Sequence, residues 1–169
     1  MLPPGLRSAI VLSALCVLLV VVGVWGFNAA TEPFPGKRDA PQCVGTPVAA
    51  GEKVFPAQVT VSVYNAGRRN GLASRTMGLF RDAGFNAGDT GNAPKDADVA
   101  FAAIWTEQPD NPAVQLVASR LGPDVVIEER DGRGSGVTVL VGDGFEALEK
   151  GVKRVVAEED TRICSPPVD

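Results

Sequence analysis

Histidine is missing from this 169-residue chain altogether. That absence removes whole classes of mechanism: no Ser-His-Asp or Cys-His nucleophile pair can form. Histidine-ligated zinc, including the H-E-x-x-H arrangement, is excluded too. Cysteine is scarce, with Cys16, Cys43 and Cys164 and no C-x-x-C spacing among them. Such isolated cysteines do not suit a redox pair or a zinc site. Positive charge is in deficit: 16 basic residues against 20 acidic ones give a formal charge of −4. Phosphate neutralisation needs a basic surface, so nucleic acid is not an expected partner. No Walker A loop and no G-x-G-x-x-G occurs. Ser74 and Ser135 have no base to activate them, so no nucleophile is expected and no catalytic residue, metal or cofactor is assigned.

What the chain does have is a long apolar run. Ser8 to Phe27 carries no charge, and only Ser8, Ser13, Gly23 and Gly26 depart from apolarity. A helix of about 20 residues spans the ~30 Å hydrocarbon core of a bilayer. Trp25 sits near its end, at the depth tryptophan favours. The run reads first as a single transmembrane helix over residues 8–27, after a short cytoplasmic tail at residues 1–7. Two alternatives stay open. One is a cleaved signal peptide, for which Asn28-Ala29-Ala30 is a poor cleavage pattern. The other is a lipoprotein signal using Cys16, which lies mid-stretch behind Leu15. Flanking positive charge is nearly balanced between Arg7 on one side and Lys37 and Arg38 on the other. Cysteine usage favours an outside location for the remainder. Cys43 and Cys164 both follow the span, and a pair of this kind suits a disulfide, which persists outside the cytosol; the alternative is two unpaired thiols.

Residues 28–57 read as a linker, with Pro33, Pro35, Pro41, Pro47 and Pro56 among glycines. Proline at this density favours extended chain. From Gln58 the pattern becomes that of a folded domain, expected over residues 58–159, with residues 160–169 as a tail carrying Cys164. Val59, Val61 and Val63 alternate with polar residues, a strand signature. Leu72, Thr76, Leu79, Phe80 and Ala83 then share a helical face that Gly84 is placed to end. Phe85 to Thr90 reads as a weak strand and Val99 to Trp105 as a central one. Asn111-Pro112 opens a second helix with a capping residue and an N1 proline. Strands follow at residues 124–129 and 137–141. Asp143 and Glu146 have capping-box spacing before a third helix whose face is Phe145, Leu148, Val152, Val155 and Val156. The expected fold is therefore an α/β, two-layer α+β sandwich. A mixed sheet of about five strands carries three helices, with a ferredoxin-like β-α-β-β-α-β core.

The segment from Val61 to Ala73 runs from strand through a polar loop into a helix. Helix N-termini offer free N–H groups and a positive dipole end. Asn65, Arg68, Arg69, Gly71 and Arg75 are the candidate residues for an anionic ligand, set against simple turn chemistry with solvated arginines. Asp96, Asp98, Glu107 and Asp110 flank the central strand and read as exposed loop charges rather than an acid–base pair. The same holds for Glu128, Glu129, Asp131, Glu158, Glu159 and Asp160. Trp105 reads as a packing residue, with a glycan- or lipid-facing role as the alternative.

Several short words follow one another in order: Val59-Thr-Val-Ser-Val-Tyr-Asn65, Gly71-Leu-Ala73, Phe80-Arg-Asp-Ala-Gly-Phe85, Gly91-Asn92-Ala93, Ala118 with Leu121-Gly122, and Val137 to Asp143. Together they resemble the LytR C-terminal domain family over about Gln58 to Asp143. One span, a linker, this domain and a flanking cysteine pair resemble the envelope-integrity proteins of actinobacteria. The resemblance implies an accessory role in the cell envelope. The phosphotransferase domain that often precedes this one has no counterpart here, so its arginine and aspartate residues cannot be carried over. Asn65, Gly71, Leu72 and Ala73 match the family motif without implying a catalytic role. The implied function is non-enzymatic: a membrane-anchored domain outside the cytosol, supporting envelope integrity by binding envelope proteins or cell-wall polymers. The alternative is a module for an anionic glycan or lipid using the 65–75 loop.

Overall fold

The computed structural model describes residues 14–23, 25 and 43–167. The chain divides into two compact units, Met1–Ala40 and Pro41–Asp169. In the first, residues 14–23 and 25 are helical and exposed. Among the described residues no helix is long and apolar enough to cross a membrane. Residues 8–13, 24, 26 and 27 of the apolar run lie outside the described residues.

The second unit is built on a five-stranded sheet in the order β4-β3-β7-β5-β6. These are β3 (Thr60–Asn65), β4 (Asn86–Asn92), β5 (Ala102–Thr106), β6 (Val125–Glu129) and β7 (Val137–Val141). β3 runs parallel to both β4 and β7, β5 runs parallel to β6, and only the β5–β7 pair is antiparallel. The alternation read from the sequence sets the faces. Val61, Val63, Ala102, Ile104, Val137, Val139 and Val141 point into the main core. Ala103, Trp105 and Leu140 form a second, smaller cluster. Helix α1 (Leu72–Asp82) buries Leu72, Ala73, Thr76, Met77 and Phe80. Helix α2 (Pro112–Leu121) buries Val114, Leu116, Val117 and Leu121. The apolar side chains of both helices join the main core and none joins the smaller cluster, so both helices cover one face. Two β-α-β units running in opposite directions on either side of β7 produce this arrangement when both crossovers are right-handed.

The helix ends follow their sequence signals. Asn111 accepts a bond from the Ala113 amide at 3.0 Å, with Pro112 in the first turn. Gly71 and Gly84 hold left-handed backbone at φ 74° and 90° on either side of α1.

Three expectations need correction. The core is not the ferredoxin-like split arrangement. Each β-α-β unit joins adjacent strands, β3 with β4 and β5 with β6, and β7, the last strand of this sheet in chain order, separates the two units. The third helix does not form. Residues 145–154 are irregular and end in the short strand β8 (Val155–Val156). Their backbone bonds go instead to the end of α2: the Glu149 amide donates to the Arg120 carbonyl at 2.7 Å, and the Val152 amide to Ser119 Oγ at 3.2 Å. The Arg120 guanidinium donates to the Lys150 carbonyl. Gly151 adopts φ 50°, a left-handed conformation that interrupts any helix. Finally, the second half of the expected linker and residues 161–165 of the expected tail form strands. Strand β1 (Val44–Val48) pairs antiparallel with β9 (Thr161–Ser165), and β2 (Lys53–Val54) with β8. Pro47 tolerates its strand because, among the described residues, β1 has only β9 beside it. Cys43 and Cys164 form a disulfide at the end of the β1–β9 ladder, with Cα atoms 5.3 Å apart.

Candidate functional site

The 65–75 loop leaves the carboxyl end of β3, where β4 and β7 also end. In parallel sheets this is the usual edge for ligands. Here the loop is organised around side chains of its own chain. Asn65 bridges it, donating from Nδ2 to the Arg69 carbonyl at 2.8 Å and accepting the Gly67 amide at 2.9 Å. Asp143, just past β7, accepts the Arg68 and Arg69 amides on Oδ1 at 2.8 and 3.2 Å. A carboxylate of the protein therefore already occupies these two loop amides ahead of α1. Asp143 also approaches Gly67 so closely that a Cβ there would sit 2.3 Å from Oδ1. The Arg69 guanidinium turns to the Phe145 carbonyl. Arg68 and Arg75 are exposed. The structure thus brings Asn65, Arg68, Arg69 and Gly71 into one loop, with Arg75 further along α1. It adds Asp143, which the sequence signalled only as a cap for a helix that does not form.

The sheet face without helices carries a second constellation. The strap of residues 130–136 folds across it. The Ser135 amide donates to Ser62 Oγ and to Asp89 Oδ2, both at 3.0 Å, and Ser62 Oγ donates back to the Ser135 carbonyl at 2.7 Å. Thr138 Oγ1 accepts the Arg133 amide at 2.6 Å and donates to its carbonyl at 2.7 Å. Arg130 lies over the Trp105 ring, 4.3 Å from its centroid, and pairs with Asp96 at 3.1 Å. Trp105 itself donates from Nε1 to Glu128 at 2.9 Å. Arg133 lies over Tyr64 at 5.7 Å. Burial, then the negative charge of Asp89, pushes the Tyr64 hydroxyl above its ordinary pKa of 10.0, against the opposing effect of Arg133. A bond from its own backbone amide, then Arg130, holds the Asp96 carboxyl below its ordinary value. Trp105 is 5% exposed, so it is a packing residue covered by arginine.

Several acidic residues outside this face gather around one cleft. Glu107 and Asp110 line an open cleft of 870 Å³ together with Glu158, Glu159 and Asp160. Asp160 accepts the Ala50 amide at 2.9 Å. Among the described residues no group of three or more cysteine or carboxylate side chains is placed to hold a metal ion.

Residues 58–145 match the family model described as LytR cell envelope-related transcriptional attenuator. The chain belongs to that family. The match begins just before β3 and ends at Phe145, so it covers the whole five-stranded sheet and both helices of the second unit. The β1–β9 and β2–β8 ladders and the disulfide lie outside it. Among solved structures, the chain is similar to the soluble domain of a conserved hypothetical secreted protein from Mycobacterium marinum. That match has 23% identity and a TM-score of 0.47, covering 62% of this chain and 79% of that one. No curated protein matches the chain.

Proposed function

We propose that this chain is a non-enzymatic, membrane-anchored domain outside the cytosol that supports cell-envelope integrity by binding envelope proteins or cell-wall polymers. The observation that carries this reading is membership of a cell envelope-related family across the entire sheet. The Cys43–Cys164 disulfide agrees with an oxidising compartment. The uncharged run over residues 8–27 supplies an anchor of bilayer length. The lack of histidine and of an activated nucleophile fits binding better than catalysis. Deleting the gene is expected to raise sensitivity to detergents and wall-active antibiotics.

A second reading is a module for an anionic glycan or lipid at the 65–75 loop. The exposure of Arg68 and Arg75 favours it. Because Asp143 takes the Arg68 and Arg69 amides, this reading places the contact on the Arg68 and Arg75 guanidinium groups. Arg68→Ala with Arg75→Ala is then expected to abolish co-sedimentation with phosphorylated wall glycans; undiminished co-sedimentation removes the loop from consideration.

A further inference from the structure

The strap over the helix-free face, Arg130-Asp-Gly-Arg-Gly-Ser-Gly136, contains no apolar side chain. Everything that holds it down is polar or cationic: the Ser62, Asp89 and Thr138 bonds, and two guanidinium groups over two aromatic rings. No apolar side chain of its own anchors the strap, and segments with few apolar contacts belong to the low-stability end of local opening. Beneath it lies the opposite kind of surface. Ala103, Trp105 and Leu140 form an apolar cluster separate from the main core, with Tyr64, Ala66, Ala93, Ala97 and Val99 packed against it. Trp105 is covered here by Arg130, and only with the strap lifted does its ring join the exposed apolar surface that marks an interaction site. The carboxylates beside it are those of Asp89, Asp96 and Glu128, which the strap engages through Ser135 and Arg130.

We propose that this face is a binding platform for a peptide segment bearing guanidinium groups, and that the strap is its occupant in the closed state. The strap shows what the platform accepts: one guanidinium over the Trp105 indole beside two carboxylates, and a second over the Tyr64 ring. A partner segment with two arginines at similar spacing competes for the same ring faces and carboxylates. Binding then carries the cost of lifting the strap, which lowers the apparent affinity by the fraction of time the strap is open. This deepens the partner-binding reading above by naming a surface and a partner chemistry. The deletion phenotype tests that reading without reference to the strap.

The test uses the full chain with Trp25→Phe in detergent micelles, which leaves Trp105 as its only tryptophan. The probe is a synthetic peptide with the sequence of residues 129–137, followed by Trp105 fluorescence. Gly134→Ala props the strap open, because its Cβ would lie 2.5 Å from the Tyr64 hydroxyl and 2.6 Å from Asp89 Oδ2, at φ 69°. Arg130→Ala with Arg133→Ala instead vacates the rings. Both variants are expected to bind the peptide at least about tenfold more tightly than the parent, the factor set by release of the closed state. A peptide with both arginines replaced by glutamine is expected not to bind. The proposal is overturned if folded variants bind no more tightly than the parent, or if the glutamine peptide binds equally well. It is also overturned if a neutral oligosaccharide binds where the peptide does not. Circular dichroism checks folding: should Gly134→Ala unfold, the arginine pair carries the test. Unfolding of both variants makes the strap a structural closure and overturns the proposal as well.

Discussion

Tyr64 is the only tyrosine in the chain, so its ionisation can be followed by ultraviolet absorbance without interference. Burial and Asp89 raise its pKa above 10.0 in the folded state, and Arg133 works against them. The neutral phenol is the form the fold favours. Its contribution to stability is therefore fully present below pH 10.0 and is lost as pH rises through the raised folded value. Tyrosinate is expected to appear above pH 10.0 in native protein, earlier in Asp89→Asn and later in Arg133→Ala; a native midpoint at or below 10.0 contradicts this electrostatic account. At this scale the sequence was legible in kind but not in partnership. Asn65 and the loop arginines stand out in any reading of the chain. Asp143 lies 75 residues from Arg68, and only the parallel pairing of β3 with β7 brings its carboxylate to that loop. The arginines over Trp105 and Tyr64 were hidden for the same reason, since a charged loop and a distant ring share no local pattern.

Periodicity served well for the elements whose backbone bonds are local or whose faces are simple. α1 and α2 begin and end at their caps, and β3 and β7 follow their alternating valines. It failed at residues 145–156, where Phe145, Leu148, Val152 and Val155 happen to repeat at helical spacing. Phe145 is fully buried, and Leu148 and Val155 pack against the same core. Those contacts are made by irregular chain bonded to the end of α2. Gly151 distinguishes the two descriptions by sign. In a helix, Gly151→Ala would stabilise by about 0.5–1 kcal/mol. In the observed conformation the new Cβ lies 2.6 Å from Arg120 Cδ and 2.9 Å from the Ser119 carbonyl, at φ 50°. The substitution is therefore expected to destabilise by about 1 kcal/mol or more. A lowered denaturant midpoint at unchanged slope is the predicted observation, and a raised midpoint contradicts it.

At the scale of the whole molecule, the sequence conveyed the class of the second unit but not its closure. A mixed sheet of five strands with helices on it was legible from the order of elements. The position of β7 between two β-α-β units was not, because strand order is decided by long-range pairing. The proline-rich stretch before Gln58 concealed β1, and the short tail concealed β9. Together with the Cys43–Cys164 disulfide these strands bring together residues separated by 121 positions. In the chain-entropy model a loop of that length is worth about 4–5 kcal/mol. The proposed function, a tethered domain outside the cytosol that supports the envelope, draws on the family match, the disulfide and the uncharged run at residues 8–27. The most direct measurement compares detergent and wall-antibiotic sensitivity in a deletion strain carrying no copy, the full chain, or a chain exported without residues 8–27. The account predicts heightened sensitivity in the deletion strain, restored by the full chain and not by the untethered one. A deletion strain as resistant as its parent would contradict it.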